Sequence, residues 1–99
     1  MKDKYSIGEV AKILKLHEQT IRDYERQHLL KPSRSPKGRR IFVNSDITRI
    51  SLIATLTQEM GLNLAGVNIV ISLSKNFKMS DDELLDYIID HKNSLVLNH

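Results

Sequence analysis

The residue types best suited to reading the edges of nucleic-acid bases gather in one short stretch, residues 17–26. An arginine guanidinium can donate two hydrogen bonds to guanine, and a glutamine amide can pair in a similar bidentate way with adenine. Arg22 and Gln19 suit these two roles, while Thr20 suits a phosphate or a thymine methyl group. The predicted DNA-contacting residues of this stretch are His17, Gln19, Thr20, Arg22, Tyr24 and Arg26.

Two of these side chains admit more than one role. Arg22 has the alternative of a surface salt bridge with a neighbouring carboxylate such as Glu18. The ring of Tyr24 is expected to pack on the preceding helix, while its hydroxyl reaches a phosphate.

A second cluster of positive charge follows in residues 31–40, which contain five basic residues and no acidic one. Such a cluster is suited to neutralising phosphates or to entering the minor groove. The alternative is a solvated basic hairpin without a ligand, which the missing counter-charge in this stretch disfavours. The predicted DNA-contacting residues here are Arg34, Lys37, Arg39 and Arg40.

Other chemistries lack the residues that they need. The chain has no cysteine, which excludes disulfides, thiolate metal sites and cysteine nucleophiles. We find no glycine-rich phosphate loop and no nucleophile with a plausible base, so neither an enzyme nor a cofactor is expected. The acidic run at residues 81–83 suits a helix start, where carboxylates are stabilised. No metal site is predicted, because the histidines show no ligand spacing: His17, His28, His91 and His99.

Positive charge is concentrated in the first part of the chain. The formal net charge is +3, but residues 1–60 hold twelve Lys and Arg against seven Asp and Glu, and residues 61–99 hold three against five. This asymmetry is typical of a polyanion-binding head joined to a segment that binds protein. No apolar run approaches the length of a bilayer span, and the polar N-terminus does not look like a signal segment. We therefore expect a cytoplasmic protein without a membrane partner.

Two short helices are predicted to carry the first basic cluster. Ser6 and Glu9 form a capping box, and the apolar residues that follow recur at helical spacing. A turn at Lys15-Leu16 leads to a second helix from about Glu18 to Gln27, for which His17 is a mediocre N-cap. Two short helices joined by such a turn form a helix-turn-helix, whose second helix enters the major groove.

The segment after the second helix predicts a β-hairpin and two further helices. Prolines and a glycine exclude a helix in residues 31–43 and favour a hairpin around a turn at residues 35–38. A third helix, capped by Asn44 or Ser45, is ended by Gly61. Asn63 is predicted to cap a fourth helix and also to contact DNA, since helix starts supply amides that bind phosphate. The predicted buried residues of these helices are Ile47, Ile50, Ile53, Leu56 and Met60, then Val67, Val70, Ile71 and Leu73.

The C-terminal segment predicts a separate helix. It begins with a second capping box, Ser80 and Glu83, and continues to about Val96. Its apolar residues recur at spacings of three and four, as in the seam of a coiled coil. Packing against its own domain is the alternative to dimerisation. The predicted dimerisation residues are Leu85, Ile88, Ile89, Lys92, Leu95 and Val96.

Five motifs follow one another in residues 5–73: Tyr5-Ser6-Ile7-Gly8-Glu9-Val10-Ala11, Thr20-Ile21-Arg22-Asp23-Tyr24-Glu25-Arg26, Leu29-Leu30-Lys31-Pro32, Gly38-Arg39-Arg40-Ile41-Phe42 and Asp46-Ile47. In order and spacing, this series resembles the head of the MerR family of bacterial transcription regulators. The resemblance implies a homodimer, held by antiparallel pairing of C-terminal helices, whose two heads bind an inverted repeat in double-stranded DNA. It also implies a first wing at residues 31–42 and a second wing near residues 61–73.

Residues 56–67 look more particularly like the heat-shock repressor branch of that family. This likeness implies repression of chaperone operons, with the chaperone itself as a candidate co-repressor. Two features depart from the family. Many members have tyrosine in place of Asp23, which here either pairs with Arg22 or Arg26 or accepts a hydrogen bond from a cytosine amine. Many members also have a ligand-sensing domain or metal-binding cysteines, so sensing of a drug or a soft metal ion is not expected of this chain.

The combined expectation is a mostly α-helical fold. Residues 1–76 are predicted to form a winged helix-turn-helix DNA-binding domain with a small β-hairpin wing, and residues 77–99 a C-terminal dimerisation helix. The expected function is sequence-specific transcription regulation by a dimeric repressor of stress genes, in the bacterial cytoplasm and on the nucleoid when bound. The alternative is an excisionase-like architectural protein, which bends DNA for recombination and often lacks the second wing and the dimer helix.

Overall fold

The computed structural model describes residues 2–96, and most of this range is helical. It contains five α-helices and one two-stranded antiparallel sheet. A π-helical segment, Thr55–Glu59, continues the third helix. The predicted fold class, mostly α with a small β-hairpin, is confirmed. The element bounds are α1 Ile7–Leu14, α2 Glu18–Arg26, β1 Ser33–Arg34, β2 Arg40–Ile41, α3 Asn44–Ala54, α4 Leu64–Asn76 and α5 Asp81–Leu95.

The chain divides into two compact units, one up to Ile50 and the other from Ser51. This division lies earlier in the chain than the predicted boundary between residues 76 and 77. The predicted boundary divides the chain by function, into a DNA-binding domain and a dimerisation helix. That functional division stays a prediction.

In the first unit, a side-chain capping box starts α1 and a left-handed residue ends it. Ser6 Oγ accepts a hydrogen bond from the Glu9 amide (3.1 Å), and the Glu9 carboxylate accepts one from the Ser6 amide (2.8 Å), so the predicted capping box is confirmed. Lys15 ends the helix in the left-handed conformation, with a φ of 56°. α2 packs on α1 and starts after His17, whose side chain makes no capping hydrogen bond.

The β-hairpin is short and tightly turned. Its strands pair Ser33 with Ile41 and Arg34 with Arg40. In the turn, the Gly38 amide donates to the Ser35 carbonyl (2.9 Å), and Gly38 has a φ of +84°, which glycine adopts without strain. The hairpin predicted around residues 35–38 is therefore confirmed.

A backbone bridge between Tyr5 and Phe42 was not predicted from the sequence. Each residue's amide donates to the other's carbonyl, at 2.8 and 2.9 Å. The Phe42 side chain is fully buried. The core of this unit contains Val10, Ala11, Ile21, Tyr24, Leu29, Leu30, Phe42 and Ile50.

The start of α3 corrects the sequence prediction. The Val43 carbonyl accepts the first helical hydrogen bond, from the Ile47 amide (3.1 Å), and Asp46 Oδ2 accepts one from the Val43 amide (2.9 Å). The prediction that Asn44 or Ser45 caps this helix is therefore wrong, because both residues lie inside its first turn.

In the second unit, the helix that follows α3 is not regular. The Met60 amide bonds to the Thr55 carbonyl (3.2 Å), which is the five-residue spacing of a π-helix. The Thr57 hydroxyl donates to the Ile53 carbonyl (3.0 Å), and such side-chain bonds offer the backbone an alternative to helical pairing. Gly61 ends the segment with a φ of +76°, as predicted.

α4 and α5 complete the second unit. Asn63 Oδ1 accepts a hydrogen bond from the Gly66 amide (2.8 Å), which confirms the predicted cap of α4. The capping box of Ser80 and Glu83 is also present at the start of α5. Val67 and Ile71 are buried as predicted, but Leu73 is exposed, because two residues along a helix from Ile71 it lies on nearly the opposite side. The buried residues of this unit include Leu52, Ile53, Leu56, Val67, Ile71, Ser74, Leu84 and Ile88.

Candidate nucleic-acid interface

α2 presents most of its predicted DNA-contacting residues to solvent. His17, Gln19 and Arg26 are exposed, and Thr20 and Arg22 are half-buried. Tyr24 is only 4% exposed, so its ring belongs to the core of the first unit, as predicted. Contact between the Tyr24 hydroxyl and a phosphate stays a prediction.

Ion pairs along α2 occupy both of its arginines. Arg22 Nη2 donates to Glu18 Oε1 at 3.0 Å, which is the salt bridge named as the alternative role for Arg22. Arg26 Nη1 lies 3.1 Å from Asp23 Oδ1. Gln19 Nε2 also donates to Asp23 Oδ1, at 3.0 Å. Of the roles left open for Asp23, the structure shows the pairing with Arg26.

A carboxylate from α2 supplies the counter-charge of the wing, defined as the β1–β2 hairpin. Glu25 Oε1 accepts a hydrogen bond from Arg40 Nε at 2.6 Å, and Glu25 Oε2 accepts one from Arg34 Nη2 at 2.9 Å. The prediction treated the basic stretch as uncompensated, because no acidic residue lies within it. The structure corrects that view: the counter-charge comes from a residue that is distant in sequence from Arg40, and no local pattern signals such a pair.

The electrostatics of Glu25 follow from this geometry. Partial burial raises the pKa of the Glu25 carboxyl, but the hydrogen bond and charge of Arg40, together with Arg34, lower it by more. The net pKa lies below its ordinary value, so the carboxylate is ionised near neutral pH and the two ion pairs are intact.

The two basic clusters meet at a surface depression of about 430 Å³. Its lining residues are Arg22, Glu25, Arg26, His28 and Arg40. We call this surface, together with Arg34, the α2–wing face. It joins the helix predicted to enter the major groove with the hairpin predicted to contact phosphates, and all of it lies in the first unit.

Two further basic residues of the wing do not line the depression beside α2. Lys37 and Arg39 are exposed, as expected for residues that contact phosphates. A depression of about 280 Å³ lies beside Arg39 and is also lined by Lys4 and Tyr5 from the N-terminal segment. Lys4 is not among the predicted DNA-contacting residues, and its proximity to the wing follows from the Tyr5–Phe42 bridge.

Asn63, the remaining predicted DNA contact, lies in the second unit. Its side chain is exposed and caps α4. Its cap role is observed, and its predicted contact with DNA stays a prediction.

The predicted dimerisation residues of α5 differ in exposure. Ile89 and Leu95 are exposed, and Leu85, Lys92 and Val96 are half-buried. Ile88 is only 4% exposed, so it is already buried within a single chain, and its predicted role in dimerisation stays a prediction. Lys92 Nζ donates to Glu59 Oε1 of the same chain at 2.7 Å.

Neither a metal-binding cluster nor a membrane-spanning helix is found among the residues that the structure describes. Residues 2–96 contain no group of three or more His, Cys, Asp or Glu that could hold a metal ion. His99 lies outside this range. None of the helices described for these residues is long and apolar enough to cross a bilayer.

Comparison with known proteins agrees with this geometry. Residues 5–74 match the family described as MerR HTH family regulatory protein. A putative heat shock protein, HspR, of Streptomyces coelicolor is 36% identical over 69 residues, which make up 70% of this chain and 46% of that protein. The chain spans about half the length of the curated relatives that it matches first.

Two solved structures share the fold. A MerR family transcriptional regulator from Bacillus cereus superposes with a TM-score of 0.62 at 18% identity, covering 92% of this chain and 78% of that one. HiNmlR, a MerR family regulator that lacks the sensor domain and is bound to promoter DNA, superposes with a TM-score of 0.58 at 22% identity, covering 93% and 78%.

A helix-turn-helix with a β-hairpin wing and a basic face between them has the architecture of the DNA-binding class of domains. Within that class, the chain belongs to the MerR HTH family of regulatory proteins. The resemblance predicted from the five motifs is thereby confirmed.

Proposed function

We propose that this protein is a sequence-specific transcription regulator that binds double-stranded DNA through the α2–wing face. The observation that carries the proposal is the meeting of Arg22 and Arg26 from α2 with Arg40 from the wing around one depression. Forked guanidinium groups are suited both to guanine edges and to phosphates. A helix in the major groove next to a basic hairpin provides both kinds of contact from one surface.

The protein is further proposed to bind an inverted repeat as a homodimer. Ile69 and Leu73 of α4 and its C-cap residue Phe77 recur at four-residue spacing and are exposed, Phe77 by 80%. Tyr87, Ile89 and Leu95 of α5 are also exposed. Contiguous apolar side chains on a helix face are costly in water and commonly mark an interaction surface. A dimer of identical heads would place two recognition helices on two half-sites, which explains why an inverted repeat is expected.

The regulated genes are proposed to be heat-shock or chaperone genes, with the protein acting as a repressor in the bacterial cytoplasm and on the nucleoid when bound. Two observations support this finer assignment: residues 56–67 look like the heat-shock repressor branch, and HspR is a relative at 36% identity over 69 residues. A chaperone as co-repressor is part of the same proposal.

The test is size-exclusion chromatography with light scattering, on the protein alone and with a duplex that carries a chaperone-promoter inverted repeat. A scrambled duplex of the same length is the control. We expect a dimer that forms a complex with the inverted repeat and not with the scrambled sequence. A monomer that binds both duplexes alike would instead support an architectural, excisionase-like protein.

A further inference from the structure

Each arginine of the α2–wing face is paired with a carboxylate of the same chain. Arg22 pairs with Glu18, Arg26 with Asp23, and both Arg34 and Arg40 with Glu25. Four guanidinium groups thus meet three carboxylates on the surface proposed to bind a polyanion. A surface built only for phosphate attraction gains nothing from acidic residues at these positions, because they reduce its net positive charge.

Glu25 differs from the other two carboxylates in what it connects. Glu18 and Asp23 pair with arginines one turn away on the same helix, which is a common and weak surface arrangement. Glu25 instead joins α2 to both strands of the wing, through charged hydrogen bonds of 2.6 and 2.9 Å. Glu25 and Arg40 are half-buried, so the link is less screened by solvent than the pairs along α2.

The geometry of this link leaves the arginines able to bind DNA but fixes where they point. Arg40 uses its Nε to reach Glu25, and a guanidinium has five N–H donors in all. Arg34 is held from two sides, since Nη2 donates to Glu25 and Nη1 donates to the Gly38 carbonyl at 3.3 Å. A phosphate in the position that these orientations allow can be bound directly. A phosphate elsewhere can be reached only by breaking the ion pairs.

We propose that Glu25 is a specificity-determining residue, which suppresses binding to unrelated DNA by holding Arg34 and Arg40 against α2. It acts in two ways: it neutralises part of the wing's charge, and it keeps the wing at a fixed position relative to the recognition helix. This inference rests on the proposed function, because it assumes that the α2–wing face is the DNA-binding surface.

The test compares wild type with Glu25→Gln, which keeps the shape of the side chain and removes its charge. Two duplexes of about 30 base pairs, enough for half-sites one helical turn apart, are used. One is enriched by the wild-type protein from a random-sequence library, and the other is its scrambled version. Asp90→Asn is the matched control, since Asp90 is exposed on α5 and its loss changes the net charge equally. Dissociation constants are measured over a series of salt concentrations.

We expect Glu25→Gln to bind the scrambled duplex about 5- to 10-fold more tightly than wild type, because the released arginines contact additional phosphates. The slope of log K against log salt on that duplex should steepen by about 0.9 for each phosphate gained. The ratio of matched to scrambled affinity should fall about tenfold. Asp90→Asn should leave the ratio and the slope at their wild-type values, and Glu25→Asp should restore part of the ratio.

A merely structural role gives a different pattern. If Glu25→Gln only loosened the fold, its melting temperature and its affinity for both duplexes would fall together, and the inference would be wrong. A second outcome also contradicts the inference: wild type binds the matched duplex more tightly than the scrambled one, and Glu25→Gln has the same affinity ratio and the same salt slope. In that case the proposed function is not affected. If the library yields no enriched sequence with wild type, the proposed function fails and the inference fails with it.

Discussion

Arg22 is the single side chain on which recognition of the DNA base sequence is expected to depend most. It lies on α2 with one guanidinium nitrogen, Nη2, 3.0 Å from Glu18 Oε1, and its other N–H groups remain able to donate to a base. We expect Arg22→Ala to weaken binding to the matched duplex by about 10- to 100-fold, which corresponds to loss of one bidentate base contact. Binding to a scrambled duplex should weaken much less.

Fluorescence anisotropy on the two duplexes measures this difference. Lys12→Ala is the matched control, because Lys12 is exposed in the last turn of α1 and its loss removes the same charge. Equal losses of affinity on both duplexes would show that Arg22 contacts only the phosphate backbone.

Glu25 gives a prediction about pH and stability. Its pKa is lowered in the folded protein, so its ion pairs with Arg40 and Arg34 stabilise the fold above the pKa of the unfolded chain. This stabilisation, about 1 kcal/mol for a partly solvated pair, is lost as the pH falls through the lower, folded-state pKa. The difference in unfolding free energy between wild type and Glu25→Gln should therefore shrink as the pH falls from about 6 to about 3. Urea titrations at each pH measure it, and a difference independent of pH would contradict the assignment.

At the scale of elements, three helix ends share an unusual feature. α1, α2 and α4 are each followed by a non-glycine residue with positive φ: Lys15 at 56°, His28 at 63° and Lys78 at 57°. In each case the next amide bonds back five residues along the helix, as the Met79 amide does to the Ser74 carbonyl at 2.9 Å. Glycine is the usual residue at such positions, because a side chain in the left-handed conformation costs about 1–2 kcal/mol.

Replacing one of these residues by glycine should stabilise the protein. Lys78→Gly relieves the strain, and the larger conformational entropy that glycine gives the unfolded chain offsets part of this gain. We expect a net gain of about 0.5 kcal/mol, or about 2–4 °C in melting temperature. Lys75→Gly is the control: it removes the same charge from inside α4 and should destabilise by about 0.5–1 kcal/mol. A lower melting temperature for Lys78→Gly in calorimetry would contradict the strain argument.

The helix ends and the contacts between segments show which features of the fold can be predicted from the sequence and which cannot. Both capping boxes, the Asn63 cap and the glycine stop at Gly61 were predicted, because each depends on residues within one turn of one another. The π-helical segment was not, since apolar spacing does not distinguish it from a regular continuation of α3. The Glu25 ion pairs and the Tyr5–Phe42 bridge were missed because they join segments that only the tertiary fold brings together.

In the molecule as a whole, substitutions at two neighbouring isoleucines of α5 are expected to affect folding and dimerisation separately. Ile88 is 4% exposed and Ile89 is 51% exposed. Ile88→Ala should lower the unfolding free energy by about 2–5 kcal/mol, as expected for a buried aliphatic side chain. Ile89→Ala should change the stability of the protomer by less than about 0.5 kcal/mol and weaken the proposed dimer.

Sedimentation velocity over a range of concentrations, together with urea unfolding, distinguishes the two effects. Because dimerisation contributes to apparent stability, unfolding is compared at a protein concentration where both variants are monomeric. If Ile89→Ala dimerises as tightly as wild type, the exposed face of α5 is not the seam.

The two backbone hydrogen bonds between Tyr5 and Phe42 also constrain the order in which the protein can fold during its synthesis. They join positions that are far apart along the chain, so a long loop must close before either bond forms. A ribosome adds residues from the N-terminus at about 5–20 per second, so Tyr5 emerges a few seconds before Phe42 does. For that interval the nascent N-terminal segment lacks its pairing partner. The head of the protein therefore completes its fold only after the wing has been translated.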